Sequence, residues 1–213
     1  GPTSFNVPGR TRFGTVGPAF PGVSVKITDD GEICVKGPNV FMGYYKEPEA
    51  TGETLAEGWL YSGDLGSFDD QGFLTITGRK KDIIITAGGK NIAPKNIEAA
   101  LQGLPGISQA VVIGDRRKFL SALLTLSPES VDDIARKFDV SADALATHAP
   151  FIQHIQEGVD KVNAQFARVE HIRKFSILPR EFTVEDKELT PTLKIKRRIV
   201  HENWQDTIDS MYS

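Results

Sequence analysis

Short apolar stretches broken by glycine, proline and acidic turns make up the N-terminal part of the chain, and helical periodicities begin only beyond it. Val23 to Ile27 reads as one strand, Asp29-Asp30-Gly31 as a turn, and Glu32 to Lys36 as the second strand of a hairpin. Alternation there puts Ile33 and Val35 on one face and Cys34 and Lys36 on the other. Gly37-Pro38 ends that strand, and Asp69-Asp70-Gln71-Gly72 turns the chain into another over Phe73–Thr77. Residues 1–77 are therefore expected to be β-rich.

Beyond Lys81 the pattern becomes mixed. Ile83 to Thr86 is long enough for one buried strand, Ala87-Gly88-Gly89-Lys90 for a sharp turn, and Asn91 to Glu98 for a helix start with Pro94 in its first turn. Pro94–Leu104 predicts a helix with Ile97, Leu101 and Leu104 on one face. Ile107–Ile113 and Phe119–Leu126 predict strands separated by Gly114-Asp115-Arg116-Arg117. Val131, Ile134, Ala135 and Phe138 recur at helical spacing behind a candidate cap, Ser130. Ile152, Ile155, Val159, Val162 and Phe166 mark a longer amphipathic helix. The fold class expected is α+β.

Composition narrows the function. The chain has 213 residues with 39% hydrophobic and 25% charged positions, ordinary for a globular protein able to bury a core. A formal net charge of −3 argues against nucleic acid as a partner, which calls for a basic surplus. The single cysteine, Cys34, cannot pair within the chain, which fits a reducing, cytoplasmic setting, and its place in a strand favours a packed thiol over a nucleophile. His148, His154, His171 and His201 lack ligand spacing, so no metal site is expected. No apolar run approaches the ~20 residues that span a bilayer; peripheral membrane contact is left open.

Four ordered motifs carry more information: GEICVKGPNVFMGYY at 31–45, GWLYSGDLGSFDDQGFLTITGRKKD at 58–82, GRKKDIIITAGGKNIAPKNIE at 78–98, and LTPTLKIKRR at 189–198. Together they resemble the C-terminal part of the AMP-forming acyl-CoA synthetases of the adenylate-forming superfamily, and NIAPKNIE and LTPTLKIKR are most similar to the long-chain fatty-acid branch. The resemblance implies a β-rich end of the large adenylation domain over 1–80, then a small mixed α/β mobile C-terminal domain over 81–213.

It also implies roles. Asp64 matches the aspartate that binds the ribose of the nucleotide; a carboxylate offers two acceptor oxygens to vicinal hydroxyls. A turn aspartate satisfied by local amides is the plainer alternative. Arg79 matches a second nucleotide-binding residue, suited to it by a permanently charged fork. Lys81 matches the hinge between two domain orientations. Gly88 and Gly89 match the loop facing the coenzyme A channel, with Lys90 either near coenzyme A phosphates or solvated. Lys194, ahead of Ile195-Lys196-Arg197, matches the catalytic lysine that stabilises charge as the adenylate forms; Lys196 is the fallback, and a solvated basic tail the bland reading. Where many members carry Ser-Gly before this lysine, this chain has Thr192-Leu193.

The activity so implied joins a fatty acid to coenzyme A at the expense of ATP, with Mg²⁺, through acyl-AMP. The family's phosphate loop and acyl tunnel have no counterpart in residues 1–213. The chain therefore reads as a C-terminal portion, expected to be inactive without the N-terminal part of the same enzyme. Two alternatives stay open: a fatty acyl-AMP ligase serving a carrier protein, and a non-catalytic nucleotide- or coenzyme-A-binding module.

Overall fold

A computed structural model describes residues 1–213. The chain divides into two compact units, Gly1–Ile83 and Ile84–Ser213.

The first unit is built on a five-stranded antiparallel sheet. Its strands are β1 (Ser24–Ile27) and β2 (Glu32–Lys36), followed, after the helix α1 (Pro48–Thr54), by β3 (Leu55–Ala56), β4 (Trp59–Phe68) and β5 (Leu74–Arg79). The expected hairpin pairs Ile27 with Ile33 and Ser24 with Lys36. Ile33, Val35 and Leu74 form a small core joined by Val25, Leu60 and Ile76. Cys34 lies on the opposite face yet is also buried (0% exposed), and desolvation pushes its thiol pKa up. That environment suits packing and not nucleophilic chemistry.

The organising strand is β4, which at ten residues pairs with β2 on one side and with β3 and β5 on the other. Glu32 faces Leu65 and Cys34 faces Tyr61, so Ser62-Gly63-Asp64 bulges out of the β2 ladder. Gly63 takes the left-handed conformation this needs, with φ 70°.

In the second unit, β6 (Ile84–Ile85) and β7 (Asn91–Ile92) form a two-stranded hairpin, followed by α2 (Pro94–Gln102). A central sheet follows, with β8 (Ile107–Ile113) antiparallel to β9 (Leu120–Leu126). The chain then passes through α3 (Val131–Lys137) and α4 (Ala149–Asn163) to β10 (Ile172–Ile177), which runs parallel to β9, and ends in α5 (Arg197–Asn203) and α6 (Gln205–Ser210). Both faces of this sheet are covered. Ala110, Val112, Ala122 and Leu124 pack with Ile97, Leu101, Phe151 and Ile155 on one side. Val111, Ile113 and Leu123 pack with Leu178, Leu189, Val200 and Ile208 on the other. Double coverage explains why β9 is apolar at almost every position.

Three local expectations differ from the structure. Asn91 and Ile92 do not start the helix but pair with Ile85 and Ile84 as a strand, and α2 begins at Pro94. Ile83 to Thr86 is no buried strand: only Ile84 and Ile85 are extended, and Ile85 is 51% exposed, because the chain reverses at once through Gly88-Gly89. Ser130 does not cap α3; its backbone is already helical and its hydroxyl turns back to the carbonyl of Ser127. No helix is long and apolar enough to cross a membrane.

Candidate nucleotide and catalytic-lysine sites

In the first unit, Asp64 and Arg79 occupy facing positions at one end of the β4–β5 ladder. Arg79 Nε donates to Asp64 Oδ1 at 2.8 Å, and both side chains keep access to solvent. One carboxylate oxygen and the guanidinium tip are thus left to meet a ligand. The bulge that aims Asp64 is held from within: Ser62 Oγ donates to the Ile33 carbonyl at 2.7 Å, and the Asp64 N–H donates to Ser62 Oγ at 3.1 Å.

Beneath it lies Glu32, a buried carboxylate that the sequence pattern does not single out. Its Oε1 accepts the Gly63 N–H at 2.9 Å and its Oε2 the Lys80 ammonium at 2.8 Å. Lys80 also pairs with Asp30 at 2.7 Å. The Lys80 and Thr28 hydrogen bonds hold the Asp30 carboxyl at about 2. Glu32 follows a turn directly and so looks like a turn residue; only the strand register reveals its burial. A cleft of about 600 Å³ opens over this region, lined by Tyr44, Tyr61, Ser62, Gly63, Arg79 and Lys81 among others. Lys81 is exposed in a short 3-10 turn, Lys80–Asp82, just before the boundary between the units.

In the second unit, Gly88 and Gly89 form the tip of the β6–β7 hairpin. Gly89 N–H donates to the Thr86 carbonyl at 2.8 Å, and Thr86 N–H to the Lys90 carbonyl at 3.0 Å. The two glycines differ. Gly89 has φ 72° and needs the freedom of glycine, whereas Gly88 has no positive φ and its nearest neighbour to an added Cβ is 3.9 Å away. The fold alone makes no demand for glycine at 88. Lys90 is exposed beside them.

Lys194 stands on a second tight hairpin. Leu189 and Ile195 form an antiparallel bridge, Thr190 N–H donates to the Lys194 carbonyl at 2.8 Å, and Lys194 N–H donates to Thr190 Oγ1 at 3.0 Å. Leu193, just before the lysine, adopts φ 59° and is 71% exposed. The Lys194 side chain is exposed, and its ammonium takes part in none of the ion pairs of the chain. Arg197 behaves differently: its Nη2 grips both oxygens of Glu98 at 2.6 and 2.5 Å, while Glu98 Oε1 also accepts the Val112 N–H at 2.8 Å. Lys196 is exposed, and its N–H donates to the Glu188 carbonyl at 2.7 Å. The basic cluster thus divides into paired guanidinium groups, Arg197 on Glu98 and Arg198 on Glu202, and two ammonium groups without an ion pair, Lys194 and Lys196.

The structure therefore brings Asp64 and Arg79 together in one unit, with Lys81 nearby in the chain, and sets Gly88, Gly89, Lys90 and Lys194 in the other. His171 turns to the carbonyl of Phe166, and His148 and His154 pack against Phe138. His201, half-buried on α5, has its pKa lowered by burial and by Arg197. No group of three or more His, Cys, Asp or Glu side chains is placed to hold a metal ion. A second cavity of about 530 Å³, walled by Leu126, Val131, Ala146, Leu178 and Pro179, contains none of the residues just described.

A β-rich unit followed by an α/β unit built on a three-stranded sheet matches the C-terminal part of adenylate-forming enzymes. Residues 81–213 match the family described as the AMP-binding enzyme C-terminal domain, and the chain belongs to that family. It is 47% identical over 206 residues to the long-chain-fatty-acid–CoA ligase FadD15 of Mycobacterium tuberculosis, which covers 95% of this chain and 34% of that protein. It is 41% identical over 239 residues to the long-chain-fatty-acid–CoA ligase ACSBG1 of Rattus norvegicus, covering 100% of this chain and 33% of that one. Among solved structures, the O-succinylbenzoate coenzyme A synthetase of Bacillus subtilis in complex with AMP superposes with a TM-score of 0.64 at 29% identity, covering 88% of this chain and 35% of that one. The chain spans about a third of the length of the curated relatives it matches.

Proposed function

We propose that this chain is the C-terminal portion of an AMP-forming long-chain fatty-acid–CoA ligase. The observation that carries the reading is the cross-strand pair Asp64–Arg79 beside an open cleft, in a chain with 47% identity to one such ligase along nearly its whole length. ATP, as its Mg²⁺ complex, fatty acid and coenzyme A are the substrates. Mg²⁺ enters with the ATP phosphates, whose charge it neutralises.

In the first half-reaction an oxygen of the fatty-acid carboxylate attacks the α-phosphorus of ATP, the bond to pyrophosphate breaks, and acyl-AMP forms. Asp64 accepts the ribose hydroxyls with the oxygen that Arg79 leaves free, and Arg79 keeps the carboxylate oriented and adds positive charge towards the nucleotide. Lys194 brings a mobile, unpaired ammonium to the charge that develops on the α-phosphate and departing pyrophosphate. In the second half-reaction the thiol sulfur of coenzyme A attacks the acyl carbon and AMP leaves. Rotation about Lys81 would exchange the Lys194 hairpin for the Gly88-Gly89 hairpin between these steps, so that one pocket serves two transition states. Gly88, free of steric demand in the fold, leaves room for the thiol, and Lys90 stands by for coenzyme A phosphates.

The test uses the full-length protein that carries this chain. With ATP and a long-chain fatty acid it is expected to form acyl-AMP and pyrophosphate, and with coenzyme A added, acyl-CoA and AMP. Acyl transfer to a carrier protein but never to coenzyme A would replace this reading with an acyl-AMP ligase, and failure to form acyl-AMP would leave a binding module.

A further inference from the structure

We propose that Glu188 is a positioning residue for Lys194: its buried carboxylate ties the two stems of the Leu189–Ile195 hairpin to one fixed base. The proposal rests on the assignment of Lys194 to adenylate formation. Glu188 is 0% exposed although it lies in a polar stretch, six residues before Lys194. Its carboxylate accepts five hydrogen bonds. Oε2 takes Arg180 Nη1 at 2.7 Å and the Thr183 N–H at 3.1 Å. Oε1 takes Arg180 Nη2 at 3.1 Å, Asn203 Nδ2 at 3.2 Å and Trp204 Nε1 at 2.8 Å.

Those donors come from both sides of the hairpin. Arg180 and Thr183 precede it, whereas Asn203 and Trp204 close α5, the helix that begins at Arg197 just after the hairpin. The main chain of Glu188 closes the same stem through the Lys196 N–H, and the Leu189 N–H reaches the Thr183 carbonyl at 2.9 Å. The Arg180 guanidinium also lies over the Trp204 ring, 5.0 Å from its centroid. At the far end, the Arg197–Glu98 pair fixes the start of α5 to α2 and β8.

A buried charge is a poor device for stability alone, since an apolar residue of the same size often serves as well. What it adds is geometric definition, because five directed bonds tolerate one arrangement and a packed leucine tolerates several. Lys194 needs that definition. Its side chain is long and makes no ion pair, so the location of its ammonium depends on where the hairpin holds its Cα. A displacement of about 1 Å at a reacting centre costs up to about 100-fold in rate.

The experiment compares Glu188→Gln, Trp204→Phe and Lys194→Ala in the full-length protein. The two half-reactions are followed separately: fatty-acid-dependent ATP–pyrophosphate exchange, and acyl-CoA formation from supplied acyl-AMP. Amide hydrogen exchange is followed alongside. Glu188→Gln is expected to lower kcat for exchange about 10- to 100-fold while acyl-CoA formation stays within about twofold. The amides of Thr190, Leu193, Lys194 and Lys196 should exchange faster while those of β8 and β9 do not. Trp204→Phe, which removes one donor and keeps the ring, is expected to move the same quantities in the same direction by less, and it carries the test if Glu188→Gln does not fold. Wild-type exchange kinetics in the variants would overturn the proposal. So would an equal fall in both half-reactions with faster amide exchange across the whole second unit, which would mark a purely structural role. Loss of exchange in Lys194→Ala beside unchanged kinetics in the other two refutes the Glu188 proposal alone; retained exchange in Lys194→Ala refutes the parent assignment and this proposal with it.

Discussion

Asp64 and Arg79 face each other across β4 and β5, and the Arg79 Nε–H donates to Asp64 Oδ1 at 2.8 Å. The pair sits where two irregularities meet: the Ser62–Asp64 bulge on the β2 side and a register shift between Leu65 and Gly66 on the β5 side. Losing a hydrogen bond to a charged group costs about 1.5–3 kcal/mol. In the full-length protein, Asp64→Ala is therefore expected to reduce kcat/KM for ATP by roughly 10- to 100-fold, chiefly through KM. Arg79→Lys should fall in the same direction, because an ammonium cannot hold Asp64 and extend a fork to the nucleotide together. Steady-state kinetics with ATP varied and fatty acid saturating would check both; an unchanged KM in Asp64→Ala would remove it from the nucleotide site.

The two glycines of the β6–β7 hairpin separate fold from function. Gly89→Ala should destabilise the protein by about 1–2 kcal/mol, the cost of a left-handed residue with a Cβ. Gly88→Val should leave thermal stability nearly unchanged while slowing acyl-CoA formation from acyl-AMP. Unfolding curves and single-turnover thioester formation, taken on the same samples, would show whether the two effects part in this way.

Leu193 holds a left-handed φ of 59° with a mostly exposed side chain, so little packing compensates for its backbone cost. Leu193→Gly relieves a strain of about 1–2 kcal/mol and adds back about 0.5–1 kcal/mol of unfolded-state entropy. The balance predicts a melting temperature equal to or above that of the wild type. Leu193→Val, β-branched and less tolerant of this conformation, should melt lower than either.

Burial pushes the Glu188 carboxyl up, but hydrogen bonds from Arg180, Asn203, the Thr183 N–H and Trp204 outweigh it and hold the group below the ordinary value of 4.5. A carboxyl whose folded pKa is depressed contributes stability above its unfolded pKa, and that contribution is lost as pH falls through the folded value. Urea midpoints measured from about pH 6 down to about pH 3 should thus fall more steeply for the wild type than for Glu188→Gln. Parallel slopes would mean that the carboxyl titrates alike in the folded and unfolded chain, and a shallower wild-type slope that it is protonated in the folded protein.

Much of this was legible in the sequence. The Asp29-Asp30-Gly31 hairpin, β8, β9 and the amphipathic face of α4 follow from turn chemistry and periodicity, since each is local. The motif residues Asp64, Arg79 and Lys194 stood out as types. That Asp64 faces Arg79 did not, because Gly63 and Gly66 interrupt the pattern of β4 and pairing register is a non-local property. β10 leaves no such pattern because Arg173 and Lys174 break its apolar run; only docking beside β9 makes it a strand. Glu32 and Glu188 were invisible for a shared reason: an acid next to a turn or within EFTVEDKELT looks solvated until distant donors close over it.

The role of Lys194 is decided by Lys194→Ala in the full-length protein, followed by ATP–pyrophosphate exchange with a long-chain fatty acid and by acyl-CoA formation from supplied acyl-AMP. Exchange is expected to fall by about 100-fold or more, the scale on which an electrostatic group at the transition state acts, while acyl-CoA formation persists. Exchange at the wild-type rate would contradict it and pass the role to Lys196 or to a residue outside this chain.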